Sequence, residues 1–182
     1  MSILNEKEAL LMIIDIQEKL INAVYNKPEI LKNAEIIAKT AKILDIPYIV
    51  TEQYPKGLGS TSTIIKTQLD KDENYYEKIT FNALENPEIY NFIKTSGKKQ
   101  IILAGIETHI CVRQTANALL NEGFDISVLS DCCGSRLENE HFAGIDIIKQ
   151  EGCRIKTTET SIFELLKSAK HHKFKEIQAL IK

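Results

Sequence analysis

The 182-residue sequence contains no tryptophan, and aromatic side chains make up only 7% of it. A protein that holds its ligands by stacking them on aromatic rings is therefore not expected. Proline and glycine are also scarce, at four and eight residues, which excludes collagen-like and low-complexity chains. The 43% of hydrophobic and 26% of charged residues are instead typical of a soluble globular domain.

The sequence also lacks an excess of either charge and a long hydrophobic segment. Lys and Arg number 23 against 25 Asp and Glu, and the net charge of −2 argues against a nucleic-acid partner, which usually requires a basic face. The longest apolar run near the start, Leu10 to Ile14, is far too short to span a membrane, and no signal-peptide pattern precedes it. We therefore expect a cytoplasmic protein with no membrane association.

The length predicts one domain over residues 1–182, large enough to fold without disulfides or a metal. Four cysteines are present, Cys111, Cys132, Cys133 and Cys153, in a spacing that fits neither a secreted disulfide framework nor a C-x-x-C zinc site. We expect four reduced thiols. Cys132 and Cys133 follow a predicted strand, which could place them near a subunit contact or at the edge of the functional site.

Short apolar segments alternate along the chain with segments of helical periodicity. The predicted strands run from Ala9 to Ile14, Tyr48 to Thr51, Tyr75 to Lys78, Gln100 to Ala104, Phe124 to Leu129 and Cys153 to Lys156. The predicted helices lie around Ile30 to Leu44, Leu84 to Thr95, Val112 to Leu119, Glu138 to Gln150 and Phe174 to Ile181, and residues 51–63 are expected to form a loop. This alternation predicts an α/β fold, a three-layer αβα arrangement around a mainly parallel, Rossmann-like sheet of six strands.

Three reactive side chains follow or close the predicted strands, where open parallel sheets bind their ligands. Asp15 directly follows the first strand, Lys78 ends the third, and Cys111 lies beyond the fourth at the start of a helix. A helix N-terminus and a nearby Lys lower the pKa of a thiol, and an Asp could accept its proton and return it to a leaving amine. Each residue also has a structural alternative: a helix cap, a solvated lysine and a buried apolar thiol.

Three motifs resemble those of the isochorismatase-like cysteine hydrolases. The segment Gly105-Ile-Glu-Thr-His-Ile-Cys-Val112 resembles the sequence around their nucleophile, and Asp15-Ile-Gln17 resembles their Asp-x-Gln segment. Lys78, followed by Phe81 and Asn82, resembles their third element. Residues 51–59 and 174–178 are similar to the branch called isochorismatase domain-containing proteins.

The resemblance implies a mechanism for the matching residues. Cys111 would be the nucleophile, Asp15 the general base and later the acid, and Lys78 the residue that holds the carboxylate and the thiolate in register. A non-proline cis peptide between Ile106 and Glu107 would direct the backbone N–H groups of Glu107 and Cys111 at the substrate oxygen as an oxyanion hole. The candidate substrate-binding residues are Gln17, Tyr54, Phe81, Asn82 and Thr108, each with packing or loop support as its alternative.

The sequence also departs from other branches of this superfamily. Nicotinamidases carry a metal site with an Asp-x-His pair after the second strand, whereas here Thr51-Glu-Gln-Tyr54 stands there and no His precedes His109. We therefore expect no metal and no cofactor, and a rim or structural role for His109. Isochorismatase itself cleaves a vinyl ether without the cysteine, so Cys111 favours C–N bond hydrolysis.

These expectations combine into a metal-independent cysteine hydrolase that acts on a small amide-like molecule through a thioester. The resemblance also implies a homo-oligomer. Two alternatives stay open: a binding or scaffold protein that keeps a silent site, and a redox-sensing thiol, which would need a partner cysteine within reach.

Overall fold

The computed structural model describes residues 3–69 and 74–182. The strands form one sheet in the order β3-β2-β1-β4-β5-β6, and every neighbouring pair within these residues is parallel. The strand bounds are β1 Ala9–Ile14, β2 Tyr48–Gln53, β3 Tyr75–Lys78, β4 Gln100–Ile106, β5 Asp125–Gly134 and β6 Arg154–Lys156. The predicted α/β class, the six strands and the parallel sheet are thus confirmed.

Helices connect the strands and cover both faces of the sheet. Their bounds are α1 Glu18–Ile21, α2 Lys27–Ile43, α3 Pro55–Leu58, α4 Thr63–Lys66, α5 Pro87–Thr95, α6 Arg113–Asn121, α7 Glu138–Gln150, α8 Thr158–Leu166 and α9 Phe174–Gln178. A 3₁₀ turn, Ala83–Glu85, precedes α5, and a π-helical turn, Thr108–Val112, leads directly into α6. No helix in the described part of the chain has the length and apolar character needed to cross a membrane.

The side chains of β1 alternate between two buried cores, because successive residues of a strand point to opposite faces of the sheet. Leu11 and Ile13 belong to the core that α2, α8 and α9 cover. Leu10, Met12 and Ile14 belong to the core that α5, α6 and α7 cover. All six residues of β1 are buried, which is why this strand reads as an uninterrupted apolar run. The two cores establish the three-layer αβα arrangement.

Three strands extend further than the sequence indicates. The fourth continues beyond Ala104 through Ile106. The second strand continues through Gln53, and α3 occupies part of the predicted loop. The fifth continues to Gly134, so Cys132 and Cys133 lie within it and are fully buried. The expectation that these two cysteines come after the strand is therefore wrong. Beyond a register shift between Leu103 and Gly105, β5 pairs with β4 again through Cys133 and Gly134.

The strand order creates a crevice at the carboxyl ends of β1 and β4. The chain leaves β1 toward β2 on one side and later places β4 on the other, and ligands bind at such switch points in open α/β sheets. Gly105, near the end of β4, has a φ of +152°, and a Cβ atom there would collide with the carbonyl oxygen of Ile14. Glycine thus allows the ends of the two strands to approach closely, just before Asp15 and the turn that carries Cys111.

Candidate active site

Asp15 turns away from the end of β1 in a left-handed backbone conformation, with a φ of +53°. This conformation is uncommon for residues other than glycine and concentrates at functional sites. The Asp15 side chain is fully buried, and Thr51 Oγ1 donates a 2.6 Å hydrogen bond to Asp15 Oδ1. The Asp15 backbone N–H also donates to the Thr51 carbonyl oxygen, at 3.1 Å. One oxygen of the carboxylate is therefore committed to β2, and Oδ2 remains for other partners.

Lys78 ends β3 and extends its ammonium group under the rim of the sheet. Its Nζ lies 2.6 Å from Asp15 Oδ2, and both side chains are shielded from solvent. The same nitrogen donates to Gln53 Oε1 at 2.6 Å and to the Thr80 carbonyl oxygen at 3.2 Å. It also lies 3.6 Å from Cys111 Sγ. The solvated-lysine alternative is excluded, because the ammonium is enclosed among oxygen and sulfur atoms.

Cys111 lies in the π-helical turn after β4 and is only 6% exposed. Burial and, to a lesser degree, the nearby Asp15 carboxylate raise the pKa of its thiol to about 12 against the opposing effect of Lys78. The sequence led us to expect a lowered thiol pKa. The direction is reversed because burial and a negative neighbour, neither visible in the sequence, outweigh the ammonium group. In the protein without substrate, Cys111 is thus a neutral thiol.

Asp15, Lys78 and Cys111 come from the ends of three different strands and meet at one place, and we call them the triad. The carboxylate, the ammonium and the thiol can exchange a proton and stabilise a charged sulfur, as a nucleophilic hydrolase requires. The peptide bond between Ile106 and Glu107, which precedes this turn, is cis.

The turn that carries Cys111 is held from both sides. The Glu107 carbonyl oxygen accepts hydrogen bonds from the backbone N–H groups of Ile110 and Val112, and Glu107 Oε2 accepts from the backbone and side chain of Arg136. Thr108 Oγ1 lies 2.9 Å from Nδ1 of His141 on α7, and burial lowers the pKa of that histidine. The backbone that we expect to form an oxyanion hole is therefore anchored by neighbouring elements.

The predicted substrate-binding residues divide into two groups. Gln17 is fully buried, and its amide bonds to both backbone groups of Gln53 and to the Gly59 carbonyl oxygen. The Thr108 hydroxyl is engaged by α7, as described above. Asn82 Oδ1 accepts from the backbone of the 3₁₀ turn, and Asn82 is only partly buried. Tyr54 and Phe81, by contrast, are 53% and 52% exposed. Gln17, Thr108 and Asn82 thus hold neighbouring backbone or helices in place, and Tyr54 and Phe81 are accessible at the rim.

Sequence reasoning missed two residues that contact the triad, Thr51 and Gln53. Both lie on β2 with one residue between them, and alternate residues of a strand point to the same face. Extending the predicted strand by two residues would have placed both side chains over the end of β1. The proline, glycine and serine residues that follow, together with weak periodicity, instead indicated a loop.

His109 makes contacts away from the triad. Its Nδ1 lies 2.9 Å from Ser135 Oγ, and its Nε2 lies 3.6 Å from Glu140 Oε2. It borders a cleft of about 470 Å³ that Ala23, Glu107, Arg136, Leu137 and Glu140 also line. These contacts agree with the rim role expected for this residue. Within residues 3–69 and 74–182, no group of three or more His, Cys, Asp or Glu side chains is arranged to hold a metal ion.

Comparison with known proteins decides the family. The model of the isochorismatase domain matches residues 8–160. The chain is also 36% identical over 179 residues to isochorismatase domain-containing protein 2 of Xenopus laevis, covering 98% of this chain and 85% of that protein. The chain belongs to the isochorismatase family. The resemblance carried by the three motifs is thereby confirmed.

Solved structures share the isochorismatase-family fold over almost the whole chain. A Caenorhabditis elegans protein described as MAR1 ribonuclease superposes with a TM-score of 0.93 at 34% identity, covering 99% of this chain and 92% of that one. The YcaC gene product of Escherichia coli, described as an octameric hydrolase of unknown specificity, gives a TM-score of 0.89 at 25% identity, covering 100% and 95%. Family and fold together support a hydrolase.

Proposed function

We propose that this isochorismatase-family protein is a metal-independent cysteine hydrolase that cleaves the C–N bond of a small amide-like molecule through a thioester. One observation carries the proposal: Lys78 Nζ lies 2.6 Å from Asp15 Oδ2 and 3.6 Å from Cys111 Sγ, in a buried site at the switch point of the sheet. A buried ion pair is costly to desolvate, and packing alone would be served as well by apolar side chains. Its position beside a thiol favours a chemical role.

The reaction follows from the three side chains. Asp15 Oδ2 accepts the thiol proton as Cys111 Sγ attacks the carbonyl carbon, so that a C–S bond forms and the carbonyl oxygen becomes negative. Collapse of this intermediate breaks the C–N bond, and Asp15 returns the proton to the leaving nitrogen. Water then attacks the thioester and gives a proton to Asp15. The C–S bond breaks, the acid is released, and Asp15 protonates the sulfur.

The raised thiol pKa fits this sequence of steps. A thiol that is neutral at rest must lose its proton during the attack, and the adjacent Asp15 carboxylate is the base within reach. Thr51 occupies Asp15 Oδ1, which leaves Oδ2 to take the proton. The positive charge of Lys78 then stabilises the sulfur as it becomes negative.

The backbone N–H groups of Glu107 and Cys111 would form the oxyanion hole in this mechanism. Hydrogen-bond donors that are already in place stabilise a developing oxyanion without reorganising during the reaction. Support comes from the hydrogen bonds that hold this turn between Arg136 and α7.

Substrate contacts are proposed at the rim, where Tyr54 and Phe81 expose apolar surface and Asn82 offers an amide. Gln17 and Thr108 would act on the substrate through the loops that they hold. The cleft of about 470 Å³ that Glu107 lines has the size typical of small-molecule sites; it borders the proposed oxyanion hole, and neither the triad nor Tyr54, Phe81 and Asn82 line it. We therefore propose a small molecule as the substrate, and neither a nucleic acid nor a membrane as the partner.

Two further aspects of the proposal draw on the relatives. The octameric YcaC protein supports a homo-oligomer for this chain. The C. elegans protein described as a ribonuclease raises RNA as a rival substrate. The net charge of −2 disfavours a polyanion.

A panel of small amides, esters and a short RNA, assayed with the wild type and with Cys111→Ala, tests the proposed function. We expect hydrolysis of at least one amide or ester by the wild type and loss of that activity in Cys111→Ala. The matched control Cys153→Ala, at another buried thiol, should keep it. Undiminished turnover by Cys111→Ala would refute the proposal, as would RNA cleavage without any amide or ester hydrolysis.

A further inference from the structure

The Lys78 ammonium has more acceptors around it than hydrogens to give. An ammonium group carries three N–H donors. Four atoms surround Nζ: Asp15 Oδ2 and Gln53 Oε1 at 2.6 Å, the Thr80 carbonyl oxygen at 3.2 Å and Cys111 Sγ at 3.6 Å. The three oxygens are nearer than the sulfur. At rest the ammonium is therefore held mainly by oxygen atoms, and its position relative to Cys111 depends on them.

Two of these four acceptors belong to the triad, and a third is a backbone carbonyl. The fourth is the neutral side-chain amide of Gln53. The orientation of its amide follows from its partners, because Nε2 donates to the Ile79 carbonyl oxygen at 2.6 Å and leaves Oε1 for Lys78. Its backbone is held as well. Gln53 N–H donates to Gln17 Oε1 at 2.8 Å, and Gln17 Nε2 donates to the Gln53 carbonyl oxygen at 3.0 Å.

We propose that Gln53 is a positioning residue that holds the Lys78 ammonium between Asp15 and Cys111 without neutralising its charge. A neutral amide oxygen fills one donor of the ammonium, and the positive charge remains available to the sulfur. A carboxylate at this position would accept the same hydrogen bond but would add a second negative charge beside Asp15. Because Coulomb interactions are strong at short range in a buried site, that charge would disfavour the thiolate. This inference rests on the proposed function for the role of the thiolate.

Two substitutions separate charge from hydrogen bonding at this position. Gln53→Glu keeps an acceptor for Lys78 and adds the charge, and Gln53→Met keeps the length of the side chain with neither acceptor nor charge. Gln150→Glu, at an exposed glutamine on α7, is the matched control for an added carboxylate. The readout is the rate of alkylation of Cys111 by iodoacetamide against pH, measured by mass spectrometry of the peptide that contains Cys111. This readout needs no substrate.

The proposal predicts that Gln53→Glu shifts the alkylation profile of Cys111 to higher pH and slows alkylation about tenfold or more at about pH 9. Gln53→Met, which loses the acceptor without adding a charge, should shift the profile less, and Gln150→Glu should not shift it. Equal profiles for the wild type and Gln53→Glu would overturn the role of Gln53, and so would an upward shift of the same size in Gln53→Met. Neither result bears on whether Cys111 turns over a substrate, which the Cys111→Ala assay decides separately.

A second readout distinguishes positioning from substrate contact. With an ester that the wild type hydrolyses, both Gln53 variants should lower kcat about tenfold or more and leave KM within about threefold. A raised KM with unchanged kcat would overturn the positioning role, because it would place the amide against the substrate. Circular dichroism and urea unfolding verify that the variants are folded.

Discussion

The Lys78 ammonium lies 2.6 Å from Asp15 Oδ2, with both side chains fully removed from solvent. Each charge is tolerated there because the other is present, together with the hydrogen bonds from Thr51 and to Gln53. Because the pair is buried, the stability of the fold depends on Asp15 and Lys78, the same residues that we propose to be catalytic. Single substitutions should therefore affect stability and activity together, and double substitutions should separate the two.

Lys78→Met tests this coupling. Removing the ammonium leaves the Asp15 carboxylate buried without a counter-charge, which should lower the free energy of unfolding by about 3–5 kcal/mol. The double variant Asp15→Asn/Lys78→Met has no buried charge at this position and should recover most of that loss while staying inactive. Urea unfolding at neutral pH measures both effects.

The exposed ion pair between Lys173 and Glu176 supplies the control for this experiment. Its atoms are 3.0 Å apart, but both side chains are partly exposed to solvent. Lys173→Met should therefore change the free energy of unfolding by less than about 1 kcal/mol. If Lys78→Met and Lys173→Met proved equally stable, the buried pair would not have the role that we assign to it.

Thr51→Val should weaken both the fold and the reaction. The Thr51 hydroxyl donates to Asp15 Oδ1 inside the protein, and its loss leaves a buried carboxylate oxygen short of a donor, at a cost of about 1.5–3 kcal/mol. Thr51→Ser retains the donor and should restore most of the activity. Urea unfolding and steady-state turnover of the best substrate of the panel measure the two effects.

Thr40 is the matched control for Thr51, since it is also buried and its hydroxyl donates only to the Ile36 carbonyl oxygen within α2. Thr40→Val should cost less than about 1 kcal/mol and leave turnover unchanged. Equal losses in Thr40→Val and Thr51→Val would indicate a general packing effect and no specific role for the bond to Asp15.

Asp15→Asn should make Cys111 more reactive toward iodoacetamide while abolishing turnover. The pKa of Cys111 is raised to about 12 by burial and by the negative charge of Asp15, so its thiolate fraction is small at neutral pH and rises about tenfold per pH unit up to that pKa. Removing the carboxylate leaves Lys78 as the nearest charge and lowers the thiol pKa. Alkylation at about pH 8 should therefore accelerate.

The other buried thiols serve as internal references for this measurement. Burial also raises the pKa of Cys133 and Cys153 to about 12, and Asp15 is not among its causes for either residue. Their alkylation rates should be the same in the wild type and Asp15→Asn. Slower alkylation of Cys111 in this variant would mean that Asp15 activates the resting thiol, and would contradict an Asp15 charge that raises the pKa of Cys111.

Gly144→Ala should disturb the turn that carries the nucleophile. A Cβ atom at Gly144 would lie 2.9 Å from the backbone nitrogen and the Cα of His109, closer than packed atoms allow. Alanine in an open helix would stabilise the protein by up to about 1 kcal/mol, but here the overlap should cost about 1–3 kcal/mol and reduce turnover. Urea unfolding and kcat determine the outcome.

Ala143 is exposed on the same helix and provides the comparison for Gly144. Ala143→Ser adds one atom in solvent, so it should change the free energy of unfolding by no more than about 0.5 kcal/mol and leave kcat unaltered. A Gly144→Ala protein as stable and active as the wild type would show that α7 does not hold the turn in place.

Much of the fold could be predicted because it depends on burial, which leaves a pattern in the sequence. The strand Ala9–Ile14 was located correctly because a strand buried on both faces is an apolar run. The extension of β5 through Cys132 and Cys133 was missed, because adjacent cysteines carry no strand signal and their burial depends on pairing with β4. A local sequence pattern does not predict the length of a strand where that length depends on pairing with a distant strand.

The candidate site, like the fold, could be predicted only in part. The spacing of strands and turns predicted that Asp15, Lys78 and Cys111 lie at one edge of the sheet, since parallel strands end together. The structural role of Gln17 could not be predicted, because its amide bonds to the backbone of Gln53, 36 positions away in sequence. The direction of the thiol pKa shift was also beyond the sequence, because it depends on how far the folded chain excludes water from the sulfur.

Mass spectrometry of the protein quenched during turnover of para-nitrophenyl acetate tests the central claim most directly. If Cys111 is the nucleophile, an acetyl group should appear on the peptide that contains Cys111, accumulate within the first turnover and disappear as the ester is exhausted. Cys111→Ala should carry no such group and should lose turnover. Equal turnover by Cys111→Ala, or acetyl groups found only at other residues during turnover, would contradict the thioester mechanism.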